Sequence, residues 1–465
     1  MIEKKFKNQQ EFSSQLRNTD FKQRILKIKK IKDWIYFNKS KIQDAVFEDL
    51  SRPKIETNIT EIFVTIDMAN NIINNLKKWM TSKPVPNSLS VITSKSFLEY
   101  YAKGTVLVIA PWNFPFQLCI APLLYSIAAG NTTIIKPSEM TPSTSRLVFE
   151  MMSELFDENE VCVIEGAAKE SKQLLDLPFN HIFFTGSSAI GKKVVQASAE
   201  HLSSFTLELG GKSPCIIDRG FNINSVINRL IATKFMNMGQ TCIAPDYVVV
   251  HNDDYDMFLN QLINTLDATY GKNINDQLNS KSLGRIVNSQ HMARLLDLIN
   301  NNKDKILYGG NYSEEDLFIA PTIIETSLED EEPLKEEIFG PIIPLIKYSS
   351  NDDLEKIISN IESPLALYIF SSSKKFISKV KDSTNSGGVC INDMAAHFLN
   401  HNLPFGGVMS SGSGRYHGFS GFKEFSNSRS VMKQSKINFL KLIAPPYSNI
   451  SQKMTDLLIW LYKKI

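Results

Sequence analysis

The sequence predicts an α/β fold of doubly wound parallel sheets in more than one domain. Three observations carry this. From Gly104 onward, short apolar strands alternate with helical stretches, the order that gives a parallel sheet with helices on both faces. A second αβ unit follows Pro214. With 43% apolar residues, a chain of 465 residues buries a large core and divides into two or more domains.

In chain order, residues 8 to about 80 read as helices. Apolar residues recur at helical spacing in Phe21, Ile25, Leu26, Ile28 and Ile31, and again in Ile62, Val64, Ile66 and Ile72. The run from Thr81 through Pro84 and Pro86 to Asn87 reads as a breaker-rich turn. After it, residues 89–101 read as a strand pair projecting from the body. Residues 104–110 form a buried strand, 116–129 a helix and 132–136 a second strand. Thr141-Pro142 opens another helix, with Thr as cap and Pro at the first position. Residues 161–164 and 181–184 are further strands, and Glu208 ends another. In the second unit, strands fall near 215–217, 247–250, 342–346, 366–370 and 389–391. A last one lies near 429–432.

Bulk composition excludes several classes. The 51 basic and 49 acidic side chains leave a net charge of +2, which gives no case for nucleic acid or an acidic partner. The early lysines, spaced among apolar residues, read as solvated helix faces. The five cysteines, Cys119, Cys162, Cys215, Cys242 and Cys390, are odd in number and contain no CxxC pair. That is neither a disulfide nor a zinc framework, and it suits a reducing compartment. The start, Met1-Ile2-Glu3-Lys4-Lys5, is too charged for a signal peptide. No apolar run approaches the ~18 residues of a spanning helix. A cytoplasmic protein without a transmembrane segment is expected. The tail, 451–465, reads as a packed helix end rather than a membrane-surface element.

The chemistry centres on Gly239-Gln240-Thr241-Cys242, which brings a thiol out after a helix-like run. Upstream stand Ala110-Pro111-Trp112-Asn113-Phe114-Pro115, Lys136-Pro137-Ser138-Glu139, Phe184-Thr185-Gly186-Ser187 and Glu208-Leu209-Gly210-Gly211-Lys212. Downstream stand Glu336-Glu337-Ile338-Phe339-Gly340-Pro341 and Leu403-Pro404-Phe405-Gly406-Gly407. In this order and spacing, from about residue 100 to 425, the chain resembles the NAD(P)-dependent aldehyde dehydrogenase superfamily. It is most similar to the class-three group, through Ala244-Pro245-Asp246-Tyr247, Pro364-Leu365-Ala366-Leu367-Tyr368 and Ala444-Pro445-Pro446-Tyr447. Met409 departs from the pattern, standing where relatives usually have Gly.

The resemblance implies a nucleotide-binding domain of residues 1–80 and 104–207 and a catalytic domain of 208–400. It implies a small β bridging element of 81–103 and 425–450, through which a homodimer forms. Residues 401–424 then return toward the nucleotide-binding domain, and 451–465 are the C-terminal tail. Cys242 suits the nucleophile, since a thiolate is reactive and works when its pKa is lowered. The other four cysteines read as small core residues. Asn113 would donate to the oxyanion beside the Cys242 N–H, a contribution of roughly 3 kcal/mol. Glu208 would activate the hydrolytic water, worth ~10²- to 10⁴-fold.

For the cofactor, the family places a pyrophosphate turn at Thr185, Gly186, Ser187 and Gly191, with a helix N-terminus facing the phosphates. Lys136 and Glu139 would hold the adenosine ribose. A carboxylate at Glu139 would repel a 2′-phosphate, so NAD is favoured, with NADP possible. Glu337 and Phe339 would position the nicotinamide ribose and ring, and Trp112 would lie near the cofactor. His397 and His401, four apart, read as loop-ordering histidines, and no metal site is expected. Phe235, Met236, Met238 and Phe398 read as apolar pocket walls or as core packing.

The expected reaction is oxidation of a medium- or long-chain aliphatic or aromatic aldehyde to its carboxylate. Two alternatives use the same cysteine. A thiol hydrolase or acyltransferase calls for a Cys–His pair, and no His stands near Cys242 or Glu208 in sequence. A CoA-acylating dehydrogenase is disfavoured by Glu208, which serves water as the acceptor.

Overall fold

The chain enters through helices Ile2–Arg17, Phe21–Phe37, Lys39–Leu50 and Val64–Met80, whose apolar stripes bury Phe6, Ile28, Ile31, Ile42, Val46, Met68 and Ile72. Between the last two lie a short helix, Lys54–Thr57, and a π-helical segment, Asn58–Phe63. Such segments are rare and often fall at functional places. The computed structural model describes residues 2–463 except 89–90 and 437–442.

The strands, in chain order, are β1 (Lys83–Val85), β2 (Lys95–Ala102), β3 (Thr105–Ile109), β4 (Thr132–Lys136), β5 (Val161–Val163), β6 (His181–Thr185) and β7 (Ser204–Glu208). There follow β8 (Pro214–Ile217), β9 (Tyr247–His251), β10 (Ile306–Tyr308), β11 (Tyr312–Ser313), β12 (Phe318–Ile319), β13 (Thr322–Thr326) and β14 (Ile342–Tyr348). The last are β15 (Ala366–Phe370), β16 (Gly388–Ile391), β17 (Gly412–Ser413) and β18 (Ser426–Lys433).

Strands β3 to β7 run parallel in a six-stranded sheet ordered β17-β7-β6-β3-β4-β5, with β17 antiparallel at the edge. A seven-stranded sheet, β10-β13-β14-β9-β8-β15-β16, is parallel except for β10. Strands β1, β2 and β18 make a separate antiparallel sheet, and β11 pairs with β12. In the six-stranded sheet the chain leaves β3 for β4 and β5, then returns to β6 and β7 on the other side. Ligands of open α/β sheets bind at such a switch, outside the carboxyl ends of the strands. Helix Gln117–Ala129 starts just past that end of β3, is buried at every position and belongs to the largest apolar cluster.

The α/β class and the parallel order are as the pattern predicts. Three local readings need correction. The breaker-rich turn contains β1; its Pro84 is tolerated because β1 is an edge strand. The expected strand pair over 89–101 is one long strand, β2, whose partners are β1 and β18, and residues 89–90 lie outside the described residues. Thr141 does not cap helix Pro142–Leu155 with its side chain. The Asp49 carboxylate does so from another helix, accepting from the N–H groups of Ser143 at 3.0 Å and Thr144 at 2.8 Å.

Candidate active site

A cleft of about 860 Å³ opens at the carboxyl ends of β3, β6 and β7. Trp112 and Asn113 enter it from the turn after β3, Thr185, Gly186 and Ser187 from the turn after β6, and Glu208 from the end of β7. Cys242, Glu337 and Phe339 close it from the other side. Nine residues singled out in the sequence thus share one cavity.

Cys242 follows a turn in which Asn237, Met238 and Gly239 all adopt left-handed φ, at 52°, 55° and 73°. Gly239 is required there: a Cβ would lie 2.2 Å from the Gly340 carbonyl. Cys242 is partly exposed, whereas Cys119, Cys162, Cys215 and Cys390 are buried. Burial, then the charges of Glu337 and Glu208, pushes the Cys242 thiol up to about 12. The resting side chain is therefore a thiol, and attack on a carbonyl requires a proton acceptor.

Glu208 is buried, and neither carboxyl oxygen has a partner in the structure. Burial first, and Glu424 in addition, raises its pKa well above the ordinary carboxylate range, against the pull of Arg415. A carboxyl that is unsatisfied, perturbed and open to a cleft has the character of a general base or acid. Asn113 is buried, and its side-chain N–H donates to the Gln240 carbonyl at 3.1 Å, two residues before the thiol. An amide carries two N–H donors, so one remains for a ligand.

Glu337 folds its carboxylate against Gly210, where a Cβ would stand 1.9 Å from Oε2, and accepts the Gly211 N–H. Burial and Asp246 push it up to about 8. Phe339, at φ 49°, meets the Trp112 ring edge-on at 5.3 Å. Ser187 is the cap residue of helix Ser188–His201 but makes no side-chain cap bond, and Thr185 Oγ1 is buried without a partner. The turn therefore presents a helix N-terminus with open donors, which fits a dinucleotide phosphate.

Three of the predicted cofactor residues, Lys136, Glu139 and Gly191, do not line the cleft. Lys136 is buried; its Nζ donates to the Pro137 carbonyl at 2.6 Å and pairs with the half-exposed Glu139 at 3.3 Å. Gly191 lies inside its helix, where a Cβ would come 3.0 Å from Leu209. Phe235 and Met238 are core rather than pocket wall. His401 Nε2 meets Asp67 at 2.8 Å, and among the described residues no group of three or more His, Cys, Asp or Glu could hold a metal ion.

Sequence reasoning missed several residues of the site. His291 lines the cleft with its ring 4.9 Å from Trp112, and Arg294 donates to the Ile338 carbonyl at 2.5 Å. Both sit on helix Ser289–Asn301, where helical spacing hid them among solvated positions. Tyr416 is buried, and burial first, then the nearby charges of Glu208 and Cys242, raises its hydroxyl. Arg52 and Glu61 form a fully buried ion pair at 2.6 Å; no local signal marked either.

A sequence model of the aldehyde dehydrogenase family matches residues 1–431. The chain is 41% identical to a 4,4'-diaponeurosporen-aldehyde dehydrogenase of Staphylococcus aureus, over 96% of this chain and 97% of the relative. It is 38% identical to rat (Rattus norvegicus) aldehyde dehydrogenase family 3 member B1, over 92% and 90%. Among solved structures, the substrate-bound state of Staphylococcus aureus AldH superposes with a TM-score of 0.94 at 40% identity, covering 98% of this chain and 99% of the other. PnpE in complex with nicotinamide adenine dinucleotide superposes with a TM-score of 0.85 at 25% identity, covering 94% and 90%.

Proposed function

The chain belongs to the aldehyde dehydrogenase family, and we propose that it oxidises a medium- or long-chain aliphatic or aromatic aldehyde to its carboxylate with NAD(P)⁺. The observation that carries this reading is one cleft holding the Cys242 thiol, the unpartnered Glu208 carboxyl and the Asn113 amide beside a helix N-terminus. A relative named for an aldehyde supports the substrate class, and PnpE's nicotinamide adenine dinucleotide supports the cofactor.

Cys242 Sγ attacks the aldehyde carbon while its proton passes to a cleft carboxylate, giving a thiohemiacetal. The Asn113 amide and the Cys242 N–H hold the oxygen as it turns anionic. Bound NAD(P)⁺ supplies the hydride acceptor, and a thioester remains on Cys242. Glu208 then takes a proton from water, whose oxygen attacks the thioester and releases the carboxylate and the thiol. The balance is RCHO + NAD(P)⁺ + H₂O giving RCOO⁻ + NAD(P)H + 2H⁺.

Residues 185–187 would hold the pyrophosphate, with Gly191 letting their helix pack close to Leu209. Lys136 and Glu139 would hold the adenosine ribose, and the half-exposed Glu139 carboxylate favours NAD over NADP. Glu337 and Phe339 would set the nicotinamide side, with Trp112 beside them. We take residues 1–80 with 104–207 as the nucleotide-binding domain, 208–400 as the catalytic domain and 81–103 with 425–450 as the bridging element. A cytoplasmic homodimer joined through that element completes the reading. Among the described residues no helix is long and apolar enough to cross a membrane.

The test is absorbance of reduced nicotinamide with aldehydes of increasing chain length, run with each cofactor. Aldehyde-dependent reduction, stronger with NAD, supports the reading; ester cleavage without any reduction overturns it.

A further inference from the structure

Arg52 has no solvent exposure, yet it lies on none of the motifs that mark the site. Its guanidinium donates in three directions: to Glu61 Oε1 at 2.6 Å, to Asn237 Oδ1 at 3.0 Å and to the backbone carbonyl of Asn113. One face packs over the Phe114 ring at 4.8 Å. Asn113 and Asn237 belong to separate elements, the turn after β3 and the left-handed turn that leads to Cys242.

The two turns are laced together around that guanidinium. Asn237 Nδ2 donates to the same Asn113 carbonyl at 2.9 Å and to the Gln240 carbonyl at 3.2 Å. The Asn113 amide donates to that Gln240 carbonyl at 3.1 Å. Glu61, supplied by the π-helical segment, uses its second oxygen to accept the Gln117 N–H at 2.6 Å, at the start of the helix after the Asn113 turn. A buried Arg–Glu pair is a poor source of stability, because an apolar replacement is often at least as stable. What a planar fork supplies is geometry: several oxygens held at fixed angles from one rigid group.

We propose that Arg52, oriented by Glu61, is a positioning residue that locks the Asn113 turn to the Asn237–Cys242 segment and so sets the amide donor against the thiol. The inference rests on the roles given above to Cys242 and Asn113. A misplacement of about 1 Å between reacting groups can cost about 100-fold in rate.

Arg52→Lys keeps a positive charge for Glu61 but replaces the fork by a single nitrogen. In the full chain, kcat for NAD reduction should fall about 10- to 100-fold while KM for NAD stays unchanged. Hydrogen exchange should rise in peptides covering both 111–117 and 236–243. In an Asn113→Ala background the same substitution should cost kcat nothing further, since both changes act through one amide. An unchanged kcat, additive losses, or exchange that rises only near Arg52 or throughout the chain would overturn the proposal. If Arg52→Lys does not fold, Asn237→Gly keeps the left-handed φ while removing the amide link, and the same comparisons decide. If no aldehyde supports NAD reduction by the parent enzyme, the functional reading fails, while the exchange measurements still decide whether Arg52 couples the two turns.

Discussion

In the proposed mechanism, Glu208 gives the reaction its pH dependence. Burial raises its pKa well above the usual carboxylate range, so at low pH the side chain is a neutral acid that cannot take a proton from water. Turnover should therefore rise with pH through a midpoint above that range, then level off. Glu208→Gln should remove the rising limb, lower kcat by ~10²- to 10⁴-fold and leave an acyl adduct on Cys242 that intact mass reads directly. Glu337, pushed up to about 8 in the same cleft, is the necessary control. If Glu337→Gln abolishes the limb and Glu208→Gln keeps it, the base is Glu337. Cys242→Ala should end oxidation while NAD binding, followed by fluorescence quenching, persists; retained turnover would remove Cys242 as nucleophile. At this scale the sequence was most informative where a chemical residue sits in an unusual neighbourhood, as Cys242 does after Gly239-Gln240-Thr241. It was silent where the reason is a partner far along the chain. Arg52 reaches Asn113 across 61 residues, and Asp49 caps a helix 94 residues on.

At the scale of elements, the turn before Cys242 is held by steric exclusion. Gly239 has a φ of 73°, and a Cβ there would press 2.2 Å from a backbone oxygen that cannot swing away. Gly220 has a φ of 71° with nothing within 4 Å. The pair separates conformational strain from collision. Gly220→Ala should cost about 1–2 kcal/mol in denaturant unfolding and keep full activity. Gly239→Ala should cost more than that and depress kcat, because the segment carrying the thiol must shift. Equal destabilisation with full activity in both variants would show that the turn tolerates displacement. The same physics explains which elements were legible. β15 is buried at every position and reads as an unbroken apolar run, and β3 reads as one after its opening Thr105. β10, β11 and β12 are two or three residues long, too short for any period to register. β13 is five residues long and pairs in parallel with β14, yet Glu325 interrupts its apolar run.

At the scale of the molecule, the open question is assembly. β18 is eight residues long and ends the sheet order β1-β2-β18, so one edge of its backbone is without a strand among the described residues. A long unprotected edge recruits another strand unless charge or a bulge blunts it. β18 is in register with β2 over its whole length, with no bulge, and Met432 is 56% exposed. Arg429 does not guard the edge outright, since its guanidinium lies 4.3 Å over the Tyr101 ring within the same sheet. We therefore expect the proposed homodimer to form through β18. Light scattering should give about twice the 52.5 kDa of one chain, and a proline placed where a β18 N–H points outward should return it to one. No residue of β1, β2 or β18 lines the cleft, so the monomeric variant should keep its kcat at saturating substrate. A parent protein that scatters as a single chain would end the dimer proposal. A monomeric variant that loses kcat would mean that the pairing orders the catalytic cleft, and assembly would then belong to the mechanism.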